Sequence, residues 1–178
     1  DDDNYPKKSF FIERKLSCKT EEIKNKSWIN IYDLFLSKSK NIWPRGLPLD
    51  SIKLKKVFIN KHKRYNNFYI QQGIVNNNPD VDAIYRLINE KINIKFKNNY
   101  KVSLGSSLSP FNSQNTTWFK NAFPLLYLPA TCNMRCTDIL RSYVALNILK
   151  KNNKKILFKG TDIIQNRNIH NLFNDYEQ

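Results

Sequence analysis

The sequence predicts an α/β fold with a mixed sheet flanked by helices. Three observations carry that expectation. Segments of strand composition recur at 68–75, 92–104 and 156–158. Two segments open on helix-start signals, at Pro79 and at Thr137. Strands and helices also interleave without a uniform beat, which favours a mixed sheet over a regularly wound parallel one. With 178 residues, 40% hydrophobic and 13% aromatic, the chain suffices for one domain over 1–178 and is too apolar for wholesale disorder.

Taken in order, Tyr5-Pro6 reads as a turn and Phe10 to Leu16 as an alternating apolar segment. Ser27 is placed to cap a short helix through Leu36, with Ile31, Leu34 and Phe35 on one face. Asn41 to Pro48 holds two prolines and a glycine and reads as a loop. The basic stretch Lys53 to Arg64 reads as a solvated face. Phe68 to Val75 has strand composition. Pro79 opens a helix with Asp80 and Asp82 in its first turn, where the macrodipole favours carboxylates. Val81, Ile84, Tyr85 and Ile88 form its apolar stripe. Residues 92–104 are strand-like, and a Ser-rich loop follows to Pro110. Thr137 is the expected N-cap of a second helix, with Asp138 in the first turn and Leu140, Tyr143, Val144 and Ile148 as the buried stripe. Ile156 to Phe158 is a short strand, and the polar tail from Gln165 ends in a brief helix.

Thirty Lys and Arg against fifteen Asp and Glu give a formal charge of +15, a field that attracts polyanions. Lys, Asn, Ile, Phe and Tyr are over-used together, as an AT-rich coding sequence produces, so the charge alone identifies no partner. No helix gathers Lys and Arg with aromatic partners on one face, so nucleic acid is not expected. Cys18, Cys132 and Cys136 make no disulfide framework, and the C-x-x-x-C pair lacks nearby residues to complete a zinc site, so both read as core or near-site residues. No apolar run approaches the roughly 20 residues of a membrane-spanning helix. Any membrane attachment is expected from a segment outside this chain. The sequence opens at Asp1 without an initiator Met and reads as a piece of a longer protein.

Candidate chemistry begins with Asp1-Asp2-Asp3. Carboxylates two apart on an extended segment point to one side, so Asp1 and Asp3 can converge on a hard divalent ion, although acidic triplets are also common at frayed termini. Arg45, in Trp43-Pro44-Arg45-Gly46-Leu47-Pro48, is presented by a rigid loop able to clamp a phosphate or a carboxylate. Asp80 and Asp82 are either acceptor ligands or supports for the helix start. Asn112, Gln114, Asn115 and Trp118 mix amides with an aromatic ring, as sugar binding requires and as a plain turn also allows. Asp138, flanked by Arg135 and Arg141, is either a general base for an acceptor hydroxyl or a capping carboxylate. His170 closes the series and acquires a role only if the fold brings it to Asp1 and Asp3.

Six runs in order resemble the blocks of the STELLO family: Asp-Asp-Asp-Asn-Tyr-Pro, Trp-Pro-Arg-Gly-Leu-Pro-Leu, Asn-Pro-Asp-Val-Asp-Ala-Ile-Tyr-Arg-Leu, Phe-Asn-Ser-Gln-Asn-Thr, Arg-Cys-Thr-Asp-Ile-Leu-Arg-Ser-Tyr and Gln-Asn-Arg-Asn-Ile-His-Asn. They span residues 1–171. The resemblance implies a GT-A-like glycosyltransferase domain, the acceptor-side part starting at the D-x-D, with most of the nucleotide-binding half outside this sequence. It implies Asp1, Asp3 and His170 as ligands of Mn2+ or Mg2+, and Asp138 beneath the acceptor. It further implies a nucleotide-sugar donor, UDP-linked by expectation, and a glycan or protein acceptor. Arg45 then lies near the diphosphate, and Asp80, Asp82, Asn112, Gln114, Asn115, Trp118, Arg135 and Arg141 form the binding set. A more distant likeness is to the reversibly glycosylated polypeptides. By resemblance the compartment is the lumenal side of the Golgi membrane, with the cytoplasm as alternative. The competing expectation is an inactive scaffold that keeps the same fold.

Overall fold

A computed structural model describes residues 3–12, 14–37, 41–53, 56–89 and 92–168. The elements in chain order are β1 (Asn4–Pro6), β2 (Ser17–Ile23), α1 (Ile31–Phe35), β3 (Ile59–Asn77), α2 (Ala83–Ile88), β4 (Lys101–Leu104), β5 (Thr116–Trp118), α3 (Met134–Lys151) and β6 (Lys155–Gln165). Short 3-10 turns occupy Lys8–Phe11, Leu49–Ser51 and Lys120–Leu126. The expected α/β class with a mixed sheet is the one observed, with six strands among the described residues.

Strand β3 holds the sheet together because it pairs twice. Its first half runs antiparallel to β2, from Ile59 opposite Ile23 to Asn67 opposite Ser17. Its second half runs parallel to β6 and antiparallel to β5. Strand β4 completes the circuit, parallel to β2 and antiparallel to β6. The sheet therefore curls back on itself, and β1 joins the outer end of β6. Closure leaves fewer open edges for unwanted pairing. The described basic residues of the stretch Lys53 to Arg64 are exposed, as expected of a solvated face, and its end, from Ile59, is the start of β3.

One face of the sheet carries the main core. Ile70, Ile74, Ile156 and Phe158 meet Ala145, Leu146 and Leu149 of α3, while Ile31 and Phe35 of α1 join from the side. Helix α3 turns a different face inward than its leucines and valines suggest. Ile139, Ser142, Ala145, Leu146 and Leu149 are buried, whereas Leu140, Val144 and Ile148 are exposed, so the expected stripe is wrong by one residue. Apolar residues lie on both sides of this helix, and periodicity alone does not choose between them. Small Ser142 and Ala145 let the helix approach the strands closely.

Caps also differ from expectation. Asn30, not Ser27, caps α1 by accepting from the Tyr32 N–H at 3.2 Å. Asn133, not Thr137, caps α3 through the Arg135 N–H at 2.9 Å, so Asp138 lies beyond the first turn. Helix α2 starts four residues after Pro79, capped by Asp82 through the Ile84 N–H at 2.9 Å. Asp80 stays outside that helix. Tyr85 is buried there, but Ile84 and Ile88 are exposed, because Arg86 takes the inward place by donating to the Pro79 carbonyl at 2.8 Å. Within 92–104 only Lys101–Leu104 forms a strand, although Ile94 bridges to Asn77. Cys132 and Cys136 form no disulfide and lie outside the buried core. Strand β6 runs to Gln165, far past the expected Phe158, and the expected helix of the tail lies outside the described residues. No helix of the described residues is long and apolar enough to cross a membrane.

Two measurements check this packing. Leu146→Ala should lower unfolding free energy by about 2–5 kcal/mol, whereas Val144→Ala should change it by less than about 1 kcal/mol; similar losses would mean the helix is rotated. Burial pushes the Asp33 carboxyl up to about 6, against a hydrogen bond with Asn30 that lowers it. A raised acid holds its proton longer in the folded state, so its contribution is full below the unfolded value and falls away as pH rises to about 6. Asp33→Asn should therefore melt above the parent at pH 7.5, with the gap closing near pH 4.

Candidate functional site

Segments far apart in sequence meet at one cleft of about 210 Å³, lined by Arg45, Asp80, Ser113, Gln114, Arg135, Asp138, Gln165 and Arg167. The Trp43–Pro48 loop is held by packing on two sides. Pro44 bridges to Val81, and the Arg45 N–H donates to the Asp80 carbonyl at 3.3 Å. Gly46 has φ 80° and faces α3: a Cβ there would lie 2.4 Å from Ile139 Cγ2. Only glycine allows both the left-handed backbone and that close approach. The Tyr143 hydroxyl donates to the Gly46 carbonyl and pins the same turn.

Arg45 is the hub. Its Nε and Nη2 donate to the two Asp80 oxygens at 2.8–3.1 Å, and Nη2 also reaches both Asp138 oxygens at 3.0 Å. Its Nη1 donates to the Arg135 carbonyl. Every guanidinium nitrogen therefore has a protein partner. Burial works against this charge, but Asp80 first and Asp138 next outweigh it and push the Arg45 pKa above its ordinary value. Asp138 Oδ2 also accepts from the Ser113 N–H at 3.0 Å, which ties α3 to the 112–118 segment.

An amide network extends the cleft inward. Gln72 donates to Asn112 Oδ1 at 3.3 Å and accepts from the Thr116 hydroxyl at 2.6 Å. Asn112 Oδ1 also accepts from the Gln114 N–H at 2.9 Å. The Gln114 amide donates to Gln165 Oε1, and the Gln165 amide donates to Asp3 Oδ2 at 2.9 Å. Asp3 thus reaches the cleft through two glutamines. Its other oxygen, Oδ1, is buried without a hydrogen-bond partner among the described residues. A buried carboxylate oxygen with a free lone pair suits a hard cation.

The other expected site residues divide. Arg45, Asp80, Gln114, Arg135 and Asp138 line the cleft. Asp82 is occupied in capping α2. Asn112 is buried below the cleft, and Asn115 turns away to donate to Asp162 Oδ1 at 2.7 Å. Trp118 lies under the Arg141 guanidinium, 5.0 Å from its ring centroid, and packs on Phe111. Arg141 donates to the Ser113 hydroxyl at 2.5 Å, and burial lowers its pKa against an opposing pull from Asp138. These two residues brace the wall without lining the cleft. Asp1 and His170 lie outside the described residues. Among the described residues no three His, Cys, Asp or Glu side chains gather as a metal site. Ser113, Gln165 and Arg167 were not singled out beforehand, although each lies within a run already noted.

Arg45→Met leaves two carboxylates facing each other without their shared cation. Denaturant unfolding should show a loss of about 3–5 kcal/mol, partly restored when Asp80→Asn and Asp138→Asn are added. An unchanged midpoint would show that the bridge is not needed for the fold.

No protein-family profile matches the chain. Two curated Arabidopsis thaliana proteins do: "Probable glycosyltransferase STELLO2" and "Probable glycosyltransferase STELLO1", each 33% identical over 141 residues. Each match covers 73% of this chain but 18% of the relative, so the chain spans under a fifth of the proteins it matches. Over that matched segment, the chain belongs to the STELLO family.

Proposed function

We propose that this chain forms the acceptor-side part of a glycosyltransferase that moves a sugar from a nucleotide-diphosphate donor to a hydroxyl acceptor. The observation that carries the reading is convergence. Residues from five separated runs of the sequence build one polar cleft, and Asp3 is tied to its inner end. The names of the STELLO relatives support a transferase in general terms. Metal dependence, the donor and the acceptor are parts of the proposal.

Asp3, with its unpartnered Oδ1, would join Asp1 and His170 in holding Mn2+ or Mg2+. When bound, such an ion stabilises charge on a leaving diphosphate. In the transfer, an acceptor oxygen bonds to the anomeric carbon as the bond from that carbon to the diphosphate oxygen breaks, and the hydroxyl proton leaves to a base. Arg45 acts here as a positioning residue, because its guanidinium is already committed to protein partners. It holds Asp80 and Asp138 at the cleft wall. Both Asp138 oxygens accept hydrogen bonds from Arg45, which fixes the carboxylate as a ligand for a sugar hydroxyl. Gln114, Gln165 and Ser113 offer further donors and acceptors to sugar hydroxyls.

The test is calorimetry of the full-length protein with UDP-sugars, with and without Mn2+. Manganese-dependent binding should weaken at least ~10-fold in Asp3→Ala, a loss of about 1.4 kcal/mol. Asp138→Asn separates its two roles once turnover is measurable. As a sugar ligand it should raise KM with kcat little changed; as a general base it should lower kcat by about 10²–10⁴ and remove the acid limb of the pH profile. A folded protein that binds no nucleotide-sugar under any of these conditions would leave the scaffold reading in its place.

A further inference from the structure

A second cleft, of about 350 Å³, opens on the sheet face away from α3. Register places it there. The strand partners Gln71 and Leu157 line this cleft, whereas the next partners, Gln72 and Phe158, line the hollow beneath Ile139 of α3. Successive strand residues point to opposite faces, so the two hollows lie back to back across β3 and β6.

This cleft is strongly cationic. Among the described residues, Arg14, Lys15, Lys101 and Lys159 line it against the carboxylate of Asp162, a net formal charge of +3. Its floor is built from buried charge. The Lys159 side chain is 9% exposed and that of Asp162 is 5% exposed, and the two are paired. Arg14 bonds the same Asp162 oxygen, while Asn115 donates to the other at 2.7 Å. Asp162 is thus fully engaged and has no remaining capacity to neutralise the rim. Lys15 and Lys101 are exposed there, and among the described residues neither ammonium makes an ion pair or a hydrogen bond. Lys159 is held below the ordinary lysine range chiefly by burial, against the pull of its partner Asp162, with Arg14 and Lys101 adding smaller downward effects.

A solvated lysine face does not converge in this way. Here four cations surround a hollow too large for a single inorganic phosphate, and two of them make no ion pair among the described residues. The geometry points to a binding site for a phosphorylated small molecule, its phosphate or diphosphate held by Lys15 and Lys101 over the floor of Arg14 and Lys159. Ser9 and Asn98 at the rim supply polar contacts for the remainder of the ligand. Phosphate oxygens match clustered ammonium and guanidinium donors in charge and in hydrogen bonding. The site uses no metal and no residue of the first cleft.

The experiment is calorimetric titration of the full-length protein with inorganic pyrophosphate in EDTA at fixed ionic strength. One pyrophosphate per chain should bind, and the exposed pair Lys15→Gln, Lys101→Gln should weaken it at least ~10-fold without shifting the melting temperature. The control pair Lys150→Gln, Lys151→Gln removes equal charge from the end of α3 and should change affinity less than ~2-fold. Sedimentation with phosphatidic acid vesicles distinguishes a lipid headgroup from a soluble ligand. Equal weakening by both pairs, no binding by the parent, or binding confined to vesicles would each overturn the assignment. Loss of UDP-sugar binding in Asp3→Ala with pyrophosphate binding in EDTA retained would show the two sites to be independent.

Discussion

Arg45 stands between two carboxylates that would otherwise repel each other at a partly buried wall. Asp80 comes from the segment before α2 and Asp138 from α3, so the shared cation joins three pieces of chain that no sheet ladder connects. Burying an ion pair brings a desolvation cost, and attraction repays it only with good geometry and satisfied hydrogen bonds. Here the Asp80 contact is bidentate, Asp138 also accepts from the Ser113 amide, and the Arg135 carbonyl takes the remaining guanidinium nitrogen. The arrangement specifies a position for the loop more than it adds stability. Gly46 then allows the loop to lie against Ile139.

The same constraint changes how each charge can act. An arginine with three protein partners is a poor free clamp for phosphate, however well its loop presents it. A carboxylate accepting from a guanidinium keeps lone pairs for a neutral hydroxyl. On the proposed reading, Asp138 is a fixed acceptor at the cleft wall, held there by Arg45 and the Ser113 amide. Rigid first contacts supported by a second layer of amides favour a fixed acceptor of this kind.

Much of this was legible in the sequence, and the failures have identifiable causes. The α/β class followed from composition, and the runs around Arg45, Asp80, Gln114 and Asp138 do meet in space. The inward face of α3 was not legible because apolar residues occur on both sides of it and burial was decided by the small Ser142 and Ala145. Asp82 looked equivalent to Asp80 by residue type, yet a two-residue difference separates a helix cap from a cleft wall. Asn115 matched the sugar-binding composition of its neighbours, but it sits in the turn just before β5, against Gly73, and meets Asp162 instead of the cleft. Long-range pairing of β3 with β6 fixes that orientation, and no local pattern reveals it.

That pairing also sets residues of the two clefts side by side along β6. Gln114 and Asn115 are consecutive: one joins Gln165 in the first cleft, and the other joins Asp162 in the second. Gln165 and Asp162 lie three residues apart on β6. Across the sheet, Gly73 accommodates Asn115 so closely that a Cβ would come within 2.1 Å of its amide nitrogen, and the Gly73 N–H donates to the Asn115 carbonyl at 2.8 Å. A dense contact of this kind leaves little room for Asn115 to shift alone. The cationic face and the first cleft are therefore neighbours across the sheet, joined by a single pair of consecutive amide residues.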